Sequence, residues 1–232
     1  MSFHGKMKAV TFSYDDGVTQ DRRLVEVFNK YGLKGTFNIN SGLLSAENVL
    51  TYGGKSVQHN KINPGELASL YKGHEVAVHT LTHPMLPSLS EEEIIRQVED
   101  DRLALSELCG YEVVGMAYPG GGVNFDLRVA EVIAKNTGVK YARTTVPSFN
   151  FELQKDLYVF SPTVHHNDTA NCMKAIDEFL SLEADCPQLL YIWGHSYEFD
   201  FSDNWDFLEE MCRKLSGRDD IFYGTNRECF GI

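Results

Sequence analysis

Lys8-Ala9-Val10-Thr11-Phe12-Ser13-Tyr14-Asp15-Asp16-Gly17 is the stretch on which the fold is decided. It is a short apolar run that stops abruptly in two carboxylates and a glycine. That is how a buried strand ends when it enters a loop. Arg22 to Tyr31 follows with apolar residues Leu24, Val25, Val27 and Phe28 at helical spacing, closed by Gly32. Gly35 to Ile39 reads as a strand, Pro64 to Tyr71 as a helix opened by its proline, and Glu75 to His79 as a strand. The spacing predicts a long helix from Ser90 to Cys109, with Ser90 and Glu93 as a capping box and Gly110 just past its end.

The same alternation continues. Val113–Tyr118, Lys140–Arg143, Leu157–Phe160, Gln188–Trp193 and Ile221–Tyr223 read as strands. Asp126–Asn136, Thr169–Leu182 and Trp205–Leu215 read as helices. Strands that alternate with helices imply a parallel sheet. About seven or eight such units suggest an α/β barrel rather than an open sheet, and the family resemblance given below implies a distorted (β/α) barrel of about seven parallel strands. Residues 1–232 are expected to form one domain, with no internal repeat or linker. Ser45 to Asn63 lacks a strong pattern and is expected to be an inserted loop over one barrel face.

Composition narrows the classes of partner. The chain of 232 residues carries a formal net charge of -12, which disfavours nucleic acid and anionic membrane surfaces. The charge says little about a neutral substrate such as a sugar; a carbohydrate or other acetylated small molecule as partner is what the family resemblance below implies. The cysteines are Cys109, Cys172, Cys186, Cys212 and Cys229, an odd number without a C-x-x-C pair. A disulfide framework and a cysteine zinc site are therefore not expected. The N-terminal residues hold no apolar run of signal-peptide length, and no stretch approaches a membrane span. As it stands the sequence is expected to be cytoplasmic.

Three polar clusters fall where strands run into loops, the end at which barrel sites are built. Asp15 and Asp16 follow the first strand, His79 and His83 the third, and His195 the run Leu189-Leu190-Tyr191-Ile192-Trp193-Gly194. Two imidazoles and a carboxylate suit a borderline divalent ion and leave positions open. A second carboxylate could accept a proton from water, and a further histidine could protonate a leaving amine. Asp-Asp-Gly alone is an ordinary turn, and a histidine pair four apart can be incidental. The coincidence of all three clusters at strand ends favours a site. His74-Glu75-Val76-Ala77-Val78-His79 imitates the H-E-x-x-H zinc helix, but its second histidine comes one residue late and in a strand-like run. Pro119-Gly120-Gly121-Gly122 lacks the ending of a phosphate loop and reads as a tight turn. His165, His166 and Glu198 are weaker candidates to line the mouth.

With these residues assembled, the chain resembles the polysaccharide deacetylases, carbohydrate esterase family 4 or the NodB-homology family. Ser13-Tyr14-Asp15-Asp16-Gly17 is similar to the family's [ST]-[FY]-D-D-G motif, and His79-Thr80-Leu81-Thr82-His83 to H-[ST]-x-x-H. The likeness in element order runs from about Lys8 to Tyr223. The resemblance implies Asp15 as general base, His195 as general acid, and Asp16, His79 and His83 as metal ligands. It implies a divalent ion, with zinc the default and cobalt, nickel or iron also compatible. Ala117-Tyr118-Pro119-Gly120 stands where the family has R-x-P-Y, so the arginine bracing the base is missing at Ala117. Without it the base is expected to be less acidified, unless Arg143 supplies the charge from the next strand. Tyr118, Pro119 and the Gly120 N–H are assigned to the oxyanion and substrate, with Trp193, Arg143 and Glu198 around the substrate. Trp193 replaces the leucine of L-x-H. No D-x-x-D-W motif is evident, and Trp205 either walls the groove or packs in the core. Removal of N-acetyl groups from an amino sugar or its oligomer is the leading expectation. Hydrolysis of an intracellular amide or formamide, and metal-containing carbohydrate binding without catalysis, are the alternatives.

Overall fold

The computed structural model describes residues 2–232. The first strand, β1 (Lys8–Asp15), is buried along its whole length. Helix α1 (Asp21–Tyr31) returns to β2 (Gly35–Ile39), and the next segment forms a hairpin of β3 (Val49–Tyr52) and β4 (Lys55–Gln58). Then come α2 (Pro64–Leu70), β5 (Glu75–Val78), α3 (Glu91–Cys109), β6 (Gly115–Ala117), α4 (Leu127–Asn136) and β7 (Tyr141–Arg143). The C-terminal third holds β8 (Val164–His165), α5 (Thr169–Ser181), β9 (Gln188–Gly194), α6 (Tyr197–Ser202), α7 (Trp205–Leu215), β10 (Ile221–Tyr223) and α8 (Asn226–Phe230).

Seven strands run in the order β7-β6-β5-β2-β1-β9-β8, all parallel, and β10 pairs with the first half of β1. This is the distorted (β/α) barrel expected from the alternation. Residues 157–160 do not form the expected strand. Leu157–Val159 is a 3₁₀ turn whose Tyr158 N–H donates to Asp156 Oδ1 at 2.9 Å. Only Phe160 bridges to Arg143 of β7, and the chain pairs with β9 four residues later, at Val164. That short segment joins the two ends of the strand path. The expected capping box of α3 is half present. Ser90 accepts from Glu93 N–H, while the Glu93 carboxylate turns to Arg96 and Gln97.

Alternate residues of β1 serve two apolar clusters, as the two-residue period of a strand requires. Val10, Phe12 and Tyr14 pack with Leu24, Phe28, Leu208 and Met211 of the helices. Ala9 belongs to a second cluster with Tyr141, Phe160, Leu189 and Tyr191, joined by Cys229 and Phe230 at the C-terminus. Asn226 anchors that end: Thr11 Oγ1 donates to its Oδ1 at 2.8 Å, and its N–H donates to Thr36 Oγ1 at 2.9 Å. Trp205 is core, 7% exposed, with its indole N–H donating to Asp200 at 2.7 Å. The five cysteines are all free thiols. Among the described residues no helix is long and apolar enough to cross a membrane.

Candidate active site

Strand register sets the site. Asp15 of β1 lies beside Asn38 of β2, Ile39 beside Val78, and Ala117 beside Arg143; His165 lies beside Trp193 and Tyr14 beside Gly194. Asp15, Asp16, His79, Arg143, His165 and His195 therefore all emerge at the carboxyl ends of neighbouring strands. That is where a parallel barrel presents its functional groups.

One carboxylate oxygen of Asp16 and one ring nitrogen each of His79 and His83 lie within 4.8 Å of one another. Two imidazoles and a carboxylate at this separation fit a divalent ion. The backbone supports that donor set. His79 is buried, and its Nδ1 lies 2.9 Å from the Ala117 carbonyl, which can only accept. Nδ1 thus carries the proton and Nε2 is the free donor. Burial lowers the His79 pKa to about 4, so the ring is neutral at neutral pH, the form in which it could ligate an ion. The Asp101 carboxylate on α3 accepts from the N–H groups of His79 and Ser41. Asp16, Thr80 and His83 are non-glycine residues in the left-handed region, at φ 83°, 67° and 61°. Such positions cost about 1–3 kcal/mol each and persist only where neighbours over-determine them. Here Lys61 Nζ donates to the Asp16 carbonyl at 2.7 Å, Asn40 to the Thr80 carbonyl at 2.9 Å, and His83 N–H to Thr80 Oγ1 at 3.1 Å.

Asp15 sits behind this cluster, 2% exposed, with Oδ2 4.0 Å from His79 Nε2 and 4.0 Å from His195 Nε2. Arg143, fully buried, places Nη2 against both carboxylate oxygens. Asn38 Nδ2 donates to Oδ1 at 2.7 Å. Burial is the largest influence and works to raise the Asp15 pKa, but the Arg143 guanidinium, with His79 and His195 behind it, holds the carboxyl below its usual value. The charge absent at Ala117 is thus delivered by Arg143, and the expected loss of acidification does not follow. Arg143 is accordingly a brace behind Asp15 and not a substrate contact. Its guanidinium lies over the Trp193 ring at 4.3 Å, which assigns that side chain to the same brace. Trp193 also meets His165 edge-on, at 4.3 Å between ring centroids.

His195 follows β9 with Nε2 4.0 Å from oxygens of both Asp15 and Asp16. Behind it, Glu198 Oε2 accepts the His195 backbone N–H at 2.9 Å and lies 3.3 Å from its Nδ1. The same oxygen is 3.2 Å from His166 Nε2 and 3.5 Å from His165 Nε2. Burial opposes the charge on both partners. The Glu198 carboxylate nevertheless raises His195 to about 9, and the imidazoles hold Glu198 at about 2. Glu198, expected among the substrate contacts, is therefore the partner of His195. His166 is fully buried and stacks between Tyr14 and Phe199, so it does not line the mouth.

Tyr118 also departs from expectation. Its ring is buried against Phe125 and its hydroxyl donates to the Tyr158 carbonyl at 2.8 Å. Pro119 is buried too. Only the backbone of this segment is left to meet a ligand. Gly120, at φ 81°, takes the turn that the Gly-Gly-Gly run suggested, and a Cβ there would come within 2.7 Å of Met85 Sδ.

Asn38 and Asp101 escaped the sequence reading, and so did two residues beside Asp16. His59 Nε2 lies 3.2 Å from Asp16 Oδ2, and Lys61 Nζ 3.2 Å from Asp16 Oδ1. Both come from the patternless Ser45–Asn63 segment. After the hairpin that segment runs back beside the Asp-Asp-Gly turn, through Ile62 N–H to Gly17 O at 3.0 Å and a Val18–Lys61 bridge. An extended chain points residues two apart to the same side, so His59 and Lys61 reach Asp16 together. Burial alone would raise the Asp16 pKa; with these partners it is held well below the usual carboxylate value.

Asp15, His195 and the Asp16–His79–His83 cluster thus share the carboxyl mouth of one parallel barrel. Residues 4–142, more than half of the chain, match the family model described as polysaccharide deacetylase, and the chain belongs to that family. It is 27% identical over 124 residues to the peptidoglycan-N-acetylmuramic acid deacetylase PdaC of Bacillus subtilis (strain 168). That match covers 52% of this chain and 23% of PdaC. The chain spans about a quarter of PdaC and about half of several solved relatives. Over nearly its full length it superposes on the T48 deacetylase solved with substrate, at TM-score 0.62 and 14% identity, covering 100% of this chain and 94% of the other. The Xyl-CE4 domain of a multidomain xylanase from the hindgut metagenome of Trinervitermes trinervoides gives TM-score 0.62 at 16% identity, covering 97% and 90%. At such identities the two superpositions establish the barrel and nothing finer.

Proposed function

We propose that the chain is a metal-dependent hydrolase that removes N-acetyl groups from an amino sugar or its oligomer. One observation carries this reading: the Asp15 carboxylate and the His195 imidazole face each other at 4.0 Å beside the Asp16–His79–His83 cluster. A protein that only bound carbohydrate would need neither the Arg143 brace nor the Glu198 partner.

Asp16, His79 and His83 would hold the ion, with zinc the default. When bound, it supplies a Lewis acid that polarises the acetyl carbonyl and acidifies water. Asp15, kept ionised by Arg143 and Asn38, accepts the proton of the attacking water. A carbon–oxygen bond forms as the water oxygen adds to the acetyl carbon. His195 gives its proton to the amide nitrogen, the carbon–nitrogen bond breaks, and acetate and a free amine leave. The buried walls around Asp15 exclude bulk water, which strengthens each of these charges.

The test is acetate release from N- and O-acetylated mono- and oligosaccharides, with and without a chelator. The expected result is release from N-acetylated sugars that stops on chelation and returns with added zinc. Metal-loaded protein that frees no acetate from any N-acetylated sugar overturns the proposal.

A further inference from the structure

The turn that carries His195 is fastened to a separate helix. Ser196 is fully buried and stands at the N-cap of α6. A serine there ordinarily accepts from a backbone N–H of the first helical turn. Ser196 makes no such bond. Its hydroxyl donates instead to Asp21 Oδ1, 175 residues away, at the start of α1. Two other bonds of the turn are internal to it. His195 N–H donates to Glu198 Oε2 at 2.9 Å, and Glu198 N–H donates to the His195 carbonyl at 3.1 Å. They shape the turn, while the Ser196 bond ties it to α1.

Asp21 is itself held from behind. It is fully buried, its N–H donates to the Val18 carbonyl at 2.9 Å, and its second oxygen accepts the Tyr71 hydroxyl at 2.6 Å. Tyr71, at the C-cap of α2, stacks on Phe37 of β2 with ring centroids 4.4 Å apart. Both side-chain partners of Asp21 are neutral hydroxyls, which offset little of the cost of burying a charge. Burial raises its pKa to about 7; the Ser196 and Tyr71 hydroxyls and the Lys61 ammonium work to lower it, and the Asp16 carboxylate adds to the rise. With the folded pKa above the usual 3.8, ionisation takes stability away as pH rises through that interval. Stability at neutral pH therefore does not account for the place of Asp21. Charged or neutral, the group keeps an oxygen that accepts from Ser196. The anchor needs an acceptor at this point and not a charge.

What the anchor does follows from the acid role given to His195 above, on which this inference rests. His195 Nε2 lies 4.0 Å from oxygens of both Asp15 and Asp16, and its proton must reach the sugar nitrogen from there. Misplacing a reacting group by about 1 Å can cost about 10²-fold in rate. We propose that Asp21 is a positioning residue: through the Ser196 hydroxyl it fixes the turn that aims His195 and Glu198 into the mouth. It acts through that bond and not on the substrate.

The experiment compares wild type, Ser196→Ala, Asp21→Ala, the double variant and Asp21→Asn. It reads kcat and KM of zinc-loaded protein on a β-1,4-linked N-acetylhexosamine tetramer and, separately, the His195 ring signals by NMR in chelated protein. Ser196→Ala should lower kcat about tenfold and move KM less than about twofold, because the acid acts in the transition state and not in binding. Asp21→Ala should match it. The double variant should be no worse than either single one, as the two ends of one bond require. Asp21→Asn keeps an acceptor and should stay within about threefold of the wild-type kcat. An unchanged kcat in Ser196→Ala overturns the proposal, and so does a double variant in which the two losses multiply. If Asp21→Ala does not fold, Ser196→Ala and Asp21→Asn decide. If the wild type frees no acetate, the deacetylase reading falls and the NMR decides the anchor alone. Ring signals that Asp21→Ala moves as Ser196→Ala does, and that Asp21→Asn leaves in place, support it; signals that Asp21→Ala leaves unmoved overturn it.

Discussion

Replacing Arg143 with methionine should expose how the base is held. Arg143 is fully buried, Asp15 is 2% exposed, and the guanidinium meets both carboxylate oxygens. Methionine keeps much of the stem volume but leaves the carboxylate buried without its counter-charge. Removing one partner of such a pair costs about 3–5 kcal/mol. The loss should depend on pH. The folded-state pKa of Asp15 is depressed below 3.8, so its contribution to stability is present above that value and lost as pH falls through the folded pKa. In Arg143→Met, burial loses its main opponent and the pKa moves up. The stability difference from wild type should therefore be small near pH 3 and grow through the carboxylate range to a plateau near neutrality. Urea unfolding followed by circular dichroism, with a chelator in every sample, measures this. Adding Asp15→Asn to Arg143→Met should recover about 2 kcal/mol or more, because the double variant buries no unpaired charge. A loss under about 1 kcal/mol at pH 7, or one equal at pH 3 and pH 7, would refute the account.

Other consequences are open to measurement. Asp15→Asn and His195→Ala should each lower kcat by about 10²-fold or more while the circular dichroism spectrum is retained, and full activity in either would remove its assigned role. His195 stands at about 9 because Glu198 lies beside it, so Glu198→Gln should lower that pKa and move the alkaline limb of the pH–kcat profile to lower pH; an unmoved limb contradicts the pairing. His79→Ala and His83→Ala should each reduce zinc content after dialysis, read by elemental analysis, and unaltered stoichiometry in both would dissolve the proposed ligand set. Gly17→Ala should cost about 1–3 kcal/mol in thermal or urea unfolding, since Gly17 has φ 57° and its new Cβ would come within 2.7 Å of Ile39 Cδ1.

Much of the barrel is legible in the linear pattern because strand and helix periods are local. β2, α7 and β10 occupy the spans that hydrophobic spacing assigns them. The pattern misleads where neighbours decide. Residues 157–160 are apolar enough for a strand, but the Asp156 cap and the single Arg143–Phe160 bridge hold them as a turn. The β3–β4 hairpin is hidden because its strands are mostly exposed and lack an apolar face.

The residue types at strand ends, by themselves, marked Asp15, Asp16, His79, His83 and His195 as candidates for one mouth, because a parallel sheet delivers its carboxyl ends to the same edge. Tertiary structure alone decided what surrounds them. Arg143 is 128 residues from Asp15 in sequence, and their ion pair exists only because β7 brings its end to the barrel mouth. Tyr118 turns to packing and Glu198 turns to His195 because side-chain direction follows from which face of a strand or turn meets the core. His59 and Lys61 reach Asp16 because an irregular segment runs back beside the Asp-Asp-Gly turn. Electrostatic partners act through space, and linear spacing carries no record of such distances.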